Sequence, residues 1–114
     1  MDNMLSVLET YILDNPDDIS KSIADEFRKR RIEKNITRAE MSEKSGVAIS
    51  NITRFEQKGH ISLKNLISIA MTLGYTSELR HLFSQPKYTT MEELLQIRKN
   101  TGRKKAHKTC KQTD

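Results

Sequence analysis

The chain has 114 residues, a formal net charge of +5, 35% hydrophobic residues and 31% charged ones. A chain this short hides only about two thirds of the surface it exposes when unfolded, which allows one modest core and excludes a deep cleft between catalytic domains. With no Trp and 5% aromatics, the core must be built from Ile, Leu and Met, a helical composition.

Cys110 is the single cysteine, so no intramolecular disulfide forms. No apolar run approaches the roughly 20 residues of a membrane-spanning helix. The opening stretch MDNMLSVLETYILDNPDD carries acids where a signal peptide carries bases, and the expected setting is soluble, reducing and cytoplasmic. Charge is unevenly placed. Asp2, Glu9, Asp14, Asp17 and Asp18 make the first stretch acidic, whereas Arg98, Lys99, Arg103, Lys104, Lys105, Lys108 and Lys111 face only Asp114 at the other end. A basic body with a basic tail suits a polyanion, although a Lys-rich end also serves as a solubilising terminus.

In chain order, Met4, Leu5, Val7, Leu8, Tyr11 and Ile12 recur at helical spacing before a stop at Asp14-Asn15-Pro16. Residues 1–16 are thus predicted as a short leading helix that covers the core or a dimer partner, its acidic polar face arguing against a membrane anchor. Asp17 and Asp18 then suit the N-terminus of a helix over about 18–34, with Ile19, Ile23, Phe27 and Ile32 expected to face inward. Thr37 and Glu40 form a capping box, TRAE, for a helix that turns Met41 inward and ends at Ser45-Gly46. The next helix runs from about Ala48 to Gln57 and stops at Lys58-Gly59. Ser62-Leu63-Lys64-Asn65 starts a fourth, with Leu63, Leu66, Ile67, Ala70 and Leu73 as its apolar side. Residues 77–83 make a short fifth with Leu79, Leu82 and Phe83 inward. Beyond Ser84-Gln85-Pro86, Thr89-Thr90 with Glu92-Glu93 give two overlapping capping boxes ahead of Met91, Leu94, Leu95 and Ile97. From Asn100 onward apolar periodicity ends and the tail is predicted to be disordered. No stretch alternates as a strand does, so the expected fold class is all-α.

Two short helices joined by a tight Gly-containing turn, the second apolar inside and polar outside, make the helix-turn-helix arrangement. In it the first helix lies across the DNA backbone and the second enters the major groove. Any helical hairpin imitates that spacing. From about Ile23 to Gly74, however, the chain resembles the Xre, or Cro/CI-type, helix-turn-helix domain. FRKRRIEKNITRAEMSEKSGVAISNITRFEQKG holds an Arg, a Thr-capped helix, a Gly turn, an Ile-x-x-Phe-Glu helix and a closing Gly, and LKNLISIAMTLGY is similar to the leucine-rich helix that follows. The continuation to HLF, with QPKYTTMEELL, resembles HipB-like regulators encoded beside HipA-type kinase toxins. The resemblance implies a five-helix lambda-repressor-like domain at 17–83; the residue pattern adds a leading helix at 1–16, a helical extension at 84–99 and a disordered basic tail at 100–114.

It implies a function as well: a sequence-specific DNA-binding repressor, nucleoid-associated, acting as a homodimer on a double-stranded operator and autoregulating a HipA-type toxin–antitoxin operon. The alternatives are a protein-binding antitoxin that neutralises a HipA-like kinase toxin, and a phage-type repressor unrelated to toxins. An RNA-binding role through the tail is disfavoured by the lack of aromatics near the basic run. The residues aligned with base contacts are Ile49, Ser50 and Arg54, flanked by Asn51 and Thr53. Arg54 is the best founded, since a guanidinium binds guanine with two hydrogen bonds. Ala48 and Ile49 depart from the family's polar habit, so Ile49 either presses on a thymine methyl or packs against protein. Arg38 and Thr37 align with phosphate contacts at a helix N-terminus. Lys58 and Lys64 are further phosphate candidates or merely solvated bases. Arg31 and Glu56 align with a structural ion pair. His60, His81 and His107 have no ligand spacing with one another or with Cys110, and no catalytic arrangement occurs, so the expectation is no enzyme, no metal and no cofactor.

Overall fold

A computed structural model describes residues 15–106. The leading helix expected over 1–16 therefore lies outside the described residues except for its last two positions, as do residues 107–114 of the tail. Among the described residues there are six helices and no strand: α1 Pro16–Glu33, α2 Arg38–Ser45, α3 Ile49–Lys58, α4 Leu63–Thr72, α5 Thr76–Arg80 and α6 Met91–Asn100. The described residues through Arg80 form one compact unit and those from His81 onward a second.

Helix α1 starts earlier than its acids predict. The Asn15 side chain accepts a hydrogen bond from the Asp18 N–H at 2.9 Å, and Pro16 takes the first helical position, where a missing N–H costs nothing. Its inward face also differs from expectation. Ala24, Phe27 and Arg31 are buried, whereas Ile19, Ile23 and Ile32 remain 47%, 46% and 50% exposed. The cause is how closely α1 approaches the end of α3. The Ser20 hydroxyl donates to the Gly59 carbonyl, and a Cβ at Gly59 would stand 3.1 Å from the backbone of Ser20 and Lys21. Ser20, a small residue, makes that contact, Ala24 one turn on is buried, and Ile19 and Ile23 fall to the side of this stripe.

The capping box of α2 is complete: the Glu40 N–H donates to the Thr37 hydroxyl at 3.0 Å, and the Thr37 N–H donates to the Glu40 carboxylate at 2.9 Å. These bonds, the backbone one foremost, hold the Glu40 carboxyl below its ordinary value. Gly46 ends the helix at φ 80°, a left-handed conformation that gives the chain its tight turn into α3. The core of this unit comprises Ala24, Phe27, Met41, Val47, Ile52, Phe55, Ile69 and Leu73, with Ile36, Ile61, Leu66 and Tyr75 packed against it. The rings of Phe27 and Phe55 meet at 5.6 Å and 58°, joining α1 to α3.

Helix α4 is capped by Ser62, whose hydroxyl accepts from the Asn65 N–H. Ile69 is its most buried residue, while Leu63, expected inward, is 66% exposed because it sits on the first turn, beyond the edge of the core. Helix α5 stops at Arg80 and does not reach Phe83. Phe83 adopts φ 65° and is 92% exposed, and Leu82 is exposed too. Both residues belong to the second unit, beyond the end of α5.

In the second unit, Thr90 caps α6 in a reciprocal box with Glu93. The Thr89 N–H and hydroxyl also donate to Glu93, at 2.6 and 2.9 Å, so one carboxylate serves both threonines and Glu92 serves neither. Those bonds, the Thr89 backbone one first, hold the Glu93 carboxyl below its usual range. No residue of α6 is buried, and residues 101–106 are exposed and non-helical.

Candidate nucleic-acid interface

Helix α3 has two distinct sides. Ile52, Phe55 and Glu56 follow the i, i+3, i+4 spacing of a single stripe and are buried. Ile49 is 47% exposed, Ser50, Asn51 and Arg54 are exposed, and Thr53 is half-buried at the margin. The residues expected to meet bases thus share the outward side and its borders. Ala48 precedes the helix without any side-chain capping bond, which leaves that end uncovered by its own sequence.

The pitch of α3 is set by Glu56. Its carboxylate is fully buried and bound by the fork of Arg31, with Nε at 2.7 Å from Oε2 and Nη2 at 2.9 Å from Oε1. Arg31 gives a further bond from Nη1 to the Ile36 carbonyl at 2.7 Å, tying the turn before α2 to the same pair. Burial pushes the Glu56 carboxyl up, but hydrogen bonds from Arg31 and Arg38, reinforced by their charges, outweigh it and hold the group below its ordinary value. A buried pair of this kind adds little net stability, yet removing one partner strands the other.

Arg38, the first residue of α2, donates from Nε to Oε1 of Glu56 at 3.0 Å and keeps a third of its side chain exposed. The Thr37 N–H is already committed to Glu40, and its hydroxyl oxygen accepts from Glu40, leaving only the hydroxyl proton to offer elsewhere. Lys58 and Lys64 are exposed and make no ion pair among the described residues. Asn51 and Arg54 border a shallow recess completed by His60, Ile61, Ser62 and Asn65.

Two features were missed by sequence reasoning. Arg28 stands 3.9 Å from Oε1 of Glu56, and the signal for it was its place three residues before Arg31, on the same helix side. Lys21 reaches the Glu56 carbonyl at 3.4 Å, for which the sequence carried no signal. Among the described residues no group of three His, Cys, Asp or Glu is placed to hold a metal ion, and no helix is long and apolar enough to cross a membrane.

A capped α2, a left-handed turn at Gly46 and an α3 with a buried stripe and an open polar side constitute a helix-turn-helix, the DNA-binding element of a class of regulators. A family model described as helix-turn-helix matches residues 27–79, taking in α2, α3 and α4 whole. The match supports a DNA-binding helix-turn-helix regulator for that segment, which is just under half of the chain. No curated protein and no solved structure matches the chain.

Proposed function

We propose that the chain is a sequence-specific repressor that binds, as a two-fold dimer, an inverted repeat whose half-sites lie roughly 34–36 Å apart or a multiple of that. The observation that carries this reading is the outward side of α3, where Ser50, Asn51 and Arg54 stand exposed while Ile52, Phe55 and Glu56 fix the helix from behind. Arg54 supplies the main base contact, Ser50 and Ile49 the neighbouring ones, and Asn51 and Thr53 flank them. Arg38, Thr37, Lys58 and Lys64 meet phosphates. Dimerisation follows from the small number of base pairs that one such helix reads against a genome of competing sites. The regulated operon is its own, encoding a HipA-type kinase.

The test is a pair of substitutions. Arg54→Ala should cost about 1–3 kcal/mol of discrimination at one base pair. Arg38→Ala should weaken binding to every sequence alike and lower the salt dependence by about one counterion. Both variants binding a selected operator as the wild type does would sink the assignment.

A second reading, a protein-binding antitoxin, is favoured by Phe83, Tyr88, Met91 and Leu95, which stand 92%, 50%, 67% and 55% exposed in the second unit. Co-purification with a co-expressed HipA-like kinase, lost on truncation after residue 80, is its expected outcome. Retention of the kinase by the truncated chain would eliminate that docking surface.

A further inference from the structure

We propose that Arg28 and Arg38 form a two-guanidinium clamp for a single DNA backbone phosphate, aimed by the carboxylate of Glu56 that both of them flank. The inference rests on the DNA-binding reading above and adds a contact, Arg28, on a helix outside the helix-turn-helix pair.

Oxygen Oε1 of Glu56 lies 2.9 Å from Nη2 of Arg31, 3.0 Å from Nε of Arg38 and 3.9 Å from Nε of Arg28. Three guanidinium groups therefore converge on one carboxylate, and the cluster is left with two positive charges in excess. The three are not equivalent. Arg31 is 8% exposed and spends Nε, Nη1 and Nη2 on Glu56 and the Ile36 carbonyl. Arg28 and Arg38 are 56% and 33% exposed and approach Glu56 through Nε. Their terminal nitrogens make no hydrogen bond to any described residue, so each retains the donor pair that suits a phosphate.

Two like charges held beside each other at a surface repel, and an anion placed between their free ends relieves that repulsion. A phosphodiester has the right form, since it presents two non-bridging oxygens that share one negative charge, one for each guanidinium. Arg38 opens α2, the helix that lies across the DNA backbone in this arrangement, so the ligand is a backbone phosphate and not a base edge. The bond to Glu56 restrains Arg38 before DNA arrives, which reduces the side-chain ordering that binding requires.

The test uses the full chain, an operator duplex selected by the wild type from a random pool, and a random-sequence duplex, titrated between 50 and 200 mM salt. Arg28→Ala should weaken binding to both duplexes by the same factor and lower the slope of log affinity against log salt by up to about one. Arg28→Lys, which keeps the charge and loses the fork, should recover part of the affinity and, being exposed and conservative, guards against misfolding. Replacing operator phosphates one at a time by neutral methylphosphonates should reveal one position to which Arg28→Ala and Arg38→Ala have both become insensitive. The clamp is overturned if Arg28→Ala binds both duplexes with wild-type affinity and slope, if its loss is confined to the operator, or if the two variants map to different phosphates. It is likewise overturned if the two arginines take inorganic phosphate while Arg28→Ala leaves duplex binding unchanged. A wild type that binds neither duplex removes the DNA-binding reading along with the clamp, whereas a binding wild type with an unaffected Arg28→Ala removes the clamp alone.

Discussion

Helices α3 and α6 have ten residues each and are held by opposite means. Helix α6 has what local chemistry provides: a reciprocal capping box, a second threonine on the same carboxylate, acids in its first turn and bases in its last, and no buried residue. Helix α3 has no side-chain cap and no acid in its first turn, yet Ile52, Phe55 and Glu56 lie inside the domain. Helix α3 is thus fixed from behind, while its first N–H groups are left without a side-chain cap. Local signals therefore mark where a helix is, and tertiary contacts decide where it stays.

The largest expected effect comes from Phe55→Ala, which should remove about 3–5 kcal/mol of stability by emptying the centre of the core. Amide exchange should accelerate throughout residues 16–80 and stay unchanged in 91–100. Equal acceleration in α6 would erase the contrast between the two helices.

Glu56→Gln comes next, with an expected loss of about 1.5–3 kcal/mol from weakening charge-assisted bonds to Arg31 and Arg38. Because the folded carboxyl is held below its ordinary value, the stability it contributes is complete above the ordinary carboxylate range and drains away as pH falls through the folded value. Denaturant midpoints measured against pH should therefore converge for wild type and variant toward acid. Glu40 and Glu93 are shifted in the same direction, but they are common to both proteins, so the difference between the curves isolates Glu56. Parallel curves would show that this carboxylate titrates as if it were free.

The smallest effect should be that of Thr90→Ala, about 1 kcal/mol, felt as faster exchange in α6 with no change in the melting of residues 16–80. A shift in that melting would mean that α6 supports more than itself.

The helices were legible where the chain states its own boundaries. Thr37 with Glu40, Gly46, Gly59, Ser62 and Thr90 with Glu93 all act locally, and the structure uses each of them. The inward face of α1 was not legible, because hydrophobicity favours Ile19 and Ile23 while the close approach of the end of α3 is made at Ser20 and the buried stripe runs through Ala24, Phe27 and Arg31. Leu63, Leu82 and Phe83 are further cases: periodicity marks an apolar side, but Leu63 falls on the exposed first turn of α4 and the helix that would carry Leu82 and Phe83 stops at Arg80. In the candidate site, the division of α3 into a buried stripe and an open side follows from its periodicity. The gathering of Arg28 and Arg38 on Glu56 does not, since it depends on three helices meeting at one oxygen.

Gly59 holds φ 77° with its α-carbon pressed to the start of α1, the Ser20 hydroxyl bonded to its carbonyl, and Glu56 anchored one turn earlier. Mechanically, α1 and the C-terminal end of α3 are one piece, a lever without a hinge. If α3 is the reading helix, as proposed, a duplex meets it at an angle these contacts hold, and imperfect fit falls in part on bending or twisting of the DNA. The energy of doing so depends on the stiffness of base steps that the protein never touches.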